Sequence, residues 1–464
     1  MLGKVECFFG VVLVCGMVGA AEKEIRPSRQ VQELTQGVPD LIFRADRNYA
    51  PIQVERSVAE AAGLHVLEEG RLVLVTDLEL DDAIRALPKL VTEAYEPMCR
   101  FFGIVPQEDW QLTAFLMKEN APFVEAGYLP EYLPAFLHGF SFNRACWLYE
   151  QPSEYYRRHL LLHEMVHSLV ITHQGFVGPL WYAEGSAEYL ATHDISARPL
   201  QLGWMPPNRE ATPYYARIRE IRDAVAAGRG RTFEEAFTFQ RDDYASDEVY
   251  YWGWSLFWFL ANHPDTQEAL REISPLLKTS LSGRQLTERF FQKLGNKLPK
   301  ICQEWEMFLA TLDYGYVLEP MLWEEVATET LENEPLLRTV QAARGWQSTG
   351  IRVGKGTFLT LQAKGRFQIH VPGEEPYPCE ANGVTIEYFR GSPLGQLQAA
   401  ILPENPPEKL DVTSAGTFFQ PHPVGRRNRW QVPRDGILFL RFNIPESRLP
   451  KCQGESRVKL TIDN

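Results

Sequence analysis

The sequence predicts an α+β protein in two parts. A small mixed sheet with helices and a mostly helical second half come first, and an all-β sandwich follows. Three observations predict this. Short apolar strand-like runs alternate with helical stretches up to about residue 150, helical patterning dominates to about 312, and glycine-punctuated alternating runs take over beyond about 325. The expected division is 1–21 a signal segment, 22–70 a lead-in, 71–325 the mixed domain and 335–464 the sandwich.

Met1-Leu2-Gly3-Lys4 carries one lysine, an apolar run follows from Cys7 to Val18, and Gly19-Ala20-Ala21-Glu22 closes the segment. A short basic start, an apolar stretch too short to span a bilayer comfortably and small residues before charge make a secretory signal cleaved near Ala20 or Ala21. The expectation is a periplasmic or secreted protein with no membrane span after cleavage; the alternative is an uncleaved anchor. At 464 residues with 45% hydrophobic content the chain can bury more than one core. Its formal net charge of −13 repels phosphate backbones, which argues against a nucleic-acid partner. Cys99, Cys146, Cys302, Cys379 and Cys452 match no zinc-knuckle spacing, and Cys379 with Cys452 is the candidate bridge.

Residues 22–70 read as irregular and polar, ending in short amphipathic pieces. Leu72–Thr76 reads as a strand, and the acidic Glu79-Leu80-Asp81-Asp82 opens a helix to about Phe102, because carboxylates in a first turn complement the helix dipole. Leu112–Met117 is a second strand. Gly139–Phe142 and Ala145–Tyr149 read as a hairpin leading into the next helix, and this hairpin is expected to supply the sheet edge.

The chemistry is concentrated in His163-Glu164-Met165-Val166-His167. On a helix, two histidines four residues apart project from one face and can share a metal ion. Glu164 sits about 100° round the helix, within reach of a water on that metal without being a ligand, which is the place of a general base. Catalytic zinc commonly takes three protein ligands and keeps one position open. Glu184 is the better third ligand, 184 − 167 = 17 residues on, in a second helix beginning after Gly178-Pro179. The rival is His173. Reaching it requires a break at Val170, a β-branched residue for which a left-handed turn is costly. In an unbroken helix His173 lies about 9 Å further along the axis, so it reads as a helix-end residue. His159 reads as a helix-start histidine beside Arg157 and Arg158.

His163–His167 together with Trp181-Tyr182-Ala183-Glu184-Gly185-Ser186-Ala187-Glu188 resembles the gluzincin metallopeptidases, and Tyr155–Glu164 resembles bacterial secreted peptidase-MA-like proteins of unassigned substrate. The resemblance covers about residues 60–315. It implies a zincin-like fold, Zn²⁺ on His163, His167 and Glu184, Glu164 as base, and an edge strand that binds substrate. It also implies that Glu188 orients a zinc histidine; a carboxylate behind a ligand fixes the imidazole tautomer. A solvated outer-face glutamate is the alternative.

Further on, Asn208–Gly228 and Thr232–Phe237 read as helical, the second opened by a capping-box pattern. In Val249–Leu260 the aromatics are too dense for an exposed helix, so most belong to a core. The run resembles the Tyr-x-x-Gly segment of gluzincin aminopeptidases, which implies that Tyr250 hydrogen-bonds the tetrahedral oxyanion; Tyr251, Tyr244 and a plain core tyrosine are alternatives. Helices at about 265–278, 284–293 and 297–312 finish the first domain.

Phe358–Ala363, Arg366–Val371, Val384–Tyr388, Ile437–Phe442 and Val458–Ile462 are short strands with turn signals between them, as in a sandwich or jelly roll. Gly345–Ile351 with Asp435–Asn443 resembles calcium-dependent galactose-binding lectin domains, which implies a loop binding calcium and sugar. The corresponding loop, Asn443–Gly454, is poor in the carboxylates calcium needs and carries cations, so it reads rather as a packing or substrate-positioning module. The expectation is thus an exported zinc metallopeptidase acting on peptide or protein substrates. The alternatives are a non-catalytic protein binding a glycan or protein through the C-terminal domain, and a zinc hydrolase of a non-peptide amide. No motif separates endo- from exo-action.

Overall fold

A computed structural model describes residues 29–39, 52–131, 133–239, 247–279, 281–331, 334–403 and 420–463. The expected signal segment, 1–21, and Tyr244 lie outside the described residues. The fold is mixed α+β and divides into two compact units, one of residues 1–217 and 234–298, the other of 218–233 and 299–464.

The first unit is built on a five-stranded sheet of β1 (His65–Glu69), β2 (Leu72–Thr76), β3 (Leu112–Met117), β4 (Gly139–Phe142) and β5 (Ala145–Tyr149), in the order β1-β2-β3-β5-β4. The inner strands β2, β3 and β5 run parallel to one another and are buried along nearly their whole length. That is why they read as continuous apolar runs. The antiparallel β4 is an edge of this sheet, as the hairpin expectation required. Its turn to β5 passes through Asn143 at φ 51°, a left-handed conformation that asparagine tolerates. β1 was missing from the expectation: its pattern of exposed and half-buried residues hides a strand inside the polar lead-in. Phe115 stacks on Trp147 at 5.5 Å, and the Trp147 indole N–H donates to the Tyr128 carbonyl at 2.7 Å, closing the core on one face.

Three of this unit's helices position the candidate site. The motif helix, Glu154–Gln174, begins at Ser153, whose hydroxyl accepts from the Tyr156 amide, and ends at Gly175 with φ 77°. The return helix, Leu180–Ala191, and the aromatic helix, Glu248–Asn262, are both almost wholly buried. Gly185 and Gly253 meet where these two cross: a Cβ on Gly185 would lie 2.9 Å from the Gly253 carbonyl oxygen. Small residues at both positions permit that close approach.

The helical reading of Asn208–Gly228 is corrected. Only a 3-10 turn, Arg209–Ala211, and a helix, Arg217–Ala226, form. Pro213 disfavours a helical conformation in the residue before it, and Tyr214 adopts φ 65°, so the helix cannot run through. Thr232–Phe237 reduces to a three-residue 3-10 turn, Glu235–Phe237. The capping box instead lies at Ser282 and Gln285, opening the helix Gly283–Leu294.

In the second unit two six-stranded sheets contain the five expected C-terminal strands and others. Phe367 of one sheet stacks on Phe442 of the other at 4.0 Å, placing the core between them. The proposed Cys379–Cys452 bridge is corrected: both are free buried thiols. The strand Phe367–Ile369 pairs with Tyr377–Cys379 on one side and with Gln453–Gly454 on the other. Two inter-strand spacings of about 4.8 Å thus separate the cysteines, beyond the Cα separation a disulfide can span.

Candidate metal centre

The motif helix and the return helix face each other with two matched four-residue spacings. His159, His163 and His167 form a row on one; Glu184 and Glu188 form a row on the other. Glu184 faces His163 and His167, and Glu188 faces His159 and His163. The Nε2 atoms of His163 and His167 are 3.1 Å apart, and Glu184 Oε2 lies 3.3 Å from the first and 3.6 Å from the second.

These three separations test the fit of a metal. A tetrahedral zinc with bonds of about 2.0–2.1 Å keeps its ligand atoms about 3.3–3.4 Å apart. Two imidazole nitrogens and a carboxylate oxygen at 3.1, 3.3 and 3.6 Å match that triangle. The donor set of two imidazoles and one carboxylate also suits zinc. Among the described residues this group and His159–His163–Glu188 are the two sets of ligating side chains close enough to hold an ion. Within the first set His163 and Glu184 are buried, whereas His167 is half-buried and the most accessible.

Electrostatics follow from this crowding. Burial lowers the His163 pKa, but the neighbouring carboxylates of Glu184 and Glu188 outweigh it and push it up to about 10. For Glu184, burial raises the pKa and the two histidines more than offset that, holding the carboxyl below its ordinary range. Burial pushes Glu164 up, against the charges of His163 and His167. A carboxylate raised above its ordinary value is better matched to accepting and returning a proton near neutrality.

Glu164 reaches the sheet edge. Its Oε1 lies 2.5 Å from where a Cβ on Gly139 would stand, so the glycine that opens β4 leaves the room the carboxylate occupies. Sequence reasoning used Gly139 as a strand start only. Its signal, a glycine opening an otherwise aromatic strand, was present but unspecific.

Tyr250, in the first turn of the aromatic helix, has its ring centroid 6.1 Å from that of His163 and is half-buried. Burial, then the charges of Glu184, Glu164 and Glu188, push its hydroxyl pKa up, so it stays protonated and able to donate. Tyr251 is buried beside Trp252 and belongs to the core.

Glu188 is no solvated glutamate: it is 2% exposed and surrounded by donors. His163 Nδ1 lies 3.3 Å from Oε1 and His159 Nε2 3.4 Å from Oε2, while Tyr215 Oη and Arg217 Nε lie 3.1 and 3.0 Å from Oε2. Burial, which raises its pKa, is outweighed first by Arg217 and then by His159, so the carboxyl lies well below its ordinary range. His159 is therefore corrected from a helix-start residue to a buried member of this network. Tyr215 and Arg217 were missed, because nothing in their local sequence marks them. His173 sits apart, its Nδ1 2.9 Å from the Leu169 carbonyl oxygen and its ring 6.1 Å from Trp110. The helix continues unbroken through Val170, as its β-branched run implied.

In the second unit, Glu446 is buried with its Oε1 3.1 Å from Arg390 and 3.5 Å from Arg441, and Asn443 Nδ2 lies 2.8, 3.0 and 3.1 Å from the carbonyl oxygens of Phe389, Ser392 and Pro393. Two guanidinium groups thus neutralise the buried acid of the loop that the lectin resemblance marks. Those residues do not fit a calcium site.

No family model matches the sequence, and no curated protein matches it. Weak structural neighbours are found. An aminopeptidase N family protein from Idiomarina loihiensis is 12% identical, with 86% of this chain and 69% of that chain covered and a TM-score of 0.29. A PllA-like lectin, the EclA N-terminal domain, is 22% identical over 27% of this chain and 95% of that chain, with a TM-score of 0.20. The Aeromonas hydrophila PliG, a periplasmic inhibitor of g-type lysozyme, is 8% identical over 30% of this chain and 96% of that chain, with a TM-score of 0.15.

Proposed function

We propose that this protein is an exported zinc metallopeptidase of gluzincin type, with His163, His167 and Glu184 holding the metal and Glu164 as general base. The observation that carries this reading is the triangle of two Nε2 atoms and one carboxylate oxygen at zinc-ligand spacing, formed by side chains from two different helices. When bound, the cation supplies a water acidic enough to ionise near neutral pH and a Lewis acid for the scissile carbonyl. Glu164 accepts the proton of the attacking water and delivers it to the leaving amine. Its buried position and raised pKa support both transfers. Tyr250, kept protonated, donates to the developing oxyanion. β4 pairs with an extended peptide main chain beside Glu164, since it is a sheet edge and its first residue touches that carboxylate. Glu188 keeps a proton on His163 Nδ1, so that Nε2 presents its lone pair.

The apolar character of the leader supports export, and among the described residues no helix is long and apolar enough to cross a membrane. The test is the metal content of the purified protein with cleavage of a peptide library. One zinc per chain, lost in His163→Ala together with hydrolysis, is the expected result. A protein without zinc, or cleavage that survives in His163→Ala, would refute the assignment.

A further inference from the structure

Four groups approach the buried Glu188 carboxylate, and they are not equivalent. Tyr215 Oη and His159 Nε2 approach Oε2, at 3.1 and 3.4 Å. His163 Nδ1 approaches Oε1 at 3.3 Å. Arg217 alone of the four spans both oxygens, with Nε 3.0 Å from Oε2 and Nη2 3.3 Å from Oε1. A guanidinium fork fixes the plane of a carboxylate as well as its position, which a point charge cannot do. Were the carboxylate free to rotate on Tyr215 and His159, nothing in that pair would keep Oε1 on His163. Arg217 reaches further still: its Cζ lies 5.6 Å from the ring centroid of Tyr250 and 5.2 Å from that of Tyr215. It stands between the carboxylate behind one histidine and the tyrosine beside it. It is also buried, 8% exposed, so its hold is not loosened by water.

We propose that Arg217 is a positioning residue for the metal centre: its fork clamps Glu188 in the orientation that aims His163 Nε2 at the cation. This rests on the zinc reading of His163, His167 and Glu184. No short motif contains Arg217, which lies 217 − 188 = 29 residues beyond the carboxylate it holds. Its role comes from the fold alone.

The experiment measures Zn²⁺ affinity of the full chain by competition with a chromophoric chelator, for wild type, Arg217→Lys and Arg217→Gln. Lysine keeps the charge and loses the fork, so Arg217→Lys is expected to bind zinc about tenfold more weakly while its unfolding midpoint stays near wild type. Outer-sphere partners of metal ligands typically contribute about 10–100-fold in affinity, and Arg217→Gln, which removes the fork and leaves Glu188 in place, is expected in that range. Arg217→Gln decides the matter should the lysine variant fail to fold. A merely structural role predicts the opposite pattern, with a lowered unfolding midpoint and zinc affinity near wild type. A folded Arg217→Lys, or failing that a folded Arg217→Gln, binding zinc within twofold of wild type would overturn the proposal and leave the proposed function standing. A wild-type protein that binds no zinc would overturn both.

Discussion

The Cβ that Gly139 lacks would lie 2.5 Å from Oε1 of Glu164, so the backbone of an edge strand and the carboxylate of the motif helix occupy adjoining space. Leu160 Cδ1 would lie 3.1 Å from the same Cβ, so the added methyl has no free side to turn to. Gly139→Ala should displace the carboxylate while leaving the three candidate ligands in place. A misplacement of about 1 Å commonly costs on the order of 100-fold in rate. Steady-state kinetics with zinc analysis should show kcat reduced by about 10–100-fold at unchanged metal content.

Glu164→Gln removes the proposed proton acceptor and keeps the shape. General base catalysis typically contributes about 10²–10⁴-fold, so kcat should fall within that range with zinc still bound. Wild-type hydrolysis by a zinc-loaded Glu164→Gln protein would remove Glu164 from its role.

Tyr250→Phe deletes the proposed donor to the oxyanion. The loss of such a donor costs about 2.7–4 kcal/mol, so kcat should drop by about 10²–10³-fold with KM little changed. Tyr251→Phe, altering a residue buried in the core, should leave kcat near wild type.

Zinc affinity should depend on pH further into the alkaline range than for an ordinary histidine site. In the metal-free protein His163 is raised to about 10 against an ordinary value of about 6.5, so its proton must leave when the metal enters. Zinc affinity should therefore climb by roughly tenfold per pH unit between about 7 and 9, where an unperturbed imidazole would have levelled off. The sign for stability is opposite. The metal-free protein gains most from His163 below about 6.5 and loses that contribution as pH rises through about 10. Chelator competition and thermal melts over this range check both halves.

Gly185→Ala should disturb the crossing of the return and aromatic helices. Its Cβ would stand 2.9 Å from the Gly253 carbonyl and 3.0 Å from Phe257 Cβ, neither of which can swing away. Overpacking of this kind costs about 1–3 kcal/mol, and a urea titration should show the midpoint shift. Because Glu184 lies on one of these helices and Tyr250 on the other, kcat should fall with stability.

Local patterns revealed part of the fold and failed where stability is not local. The buried strands β2, β3 and β5 were legible because parallel inner strands need apolar residues on both faces. β1 was not, since its exposed and half-buried residues carry little pattern. The helical reading of 208–228 failed because Pro213 and the left-handed Tyr214 interrupt the stretch. The disulfide expectation failed because cysteine count says nothing about a strand lying between two thiols.

For the candidate metal centre, the spacing of His163 and His167 was legible by itself, since helical geometry alone puts both imidazoles on one face. The spacing of Glu184 and Glu188 likewise placed two carboxylates on one face of the next helix. What only the tertiary structure decided is how these two rows meet: which carboxylate stands between which histidines, that His159 belongs to the buried network, that Arg217 clamps Glu188, and that Gly139 makes room for Glu164. The physical reason is range. Periodicity along a helix fixes neighbours within a turn or two, whereas a guanidinium 29 residues beyond its carboxylate, 217 − 188, or a missing Cβ 25 residues before it, 164 − 139, is positioned by packing that no local stretch encodes.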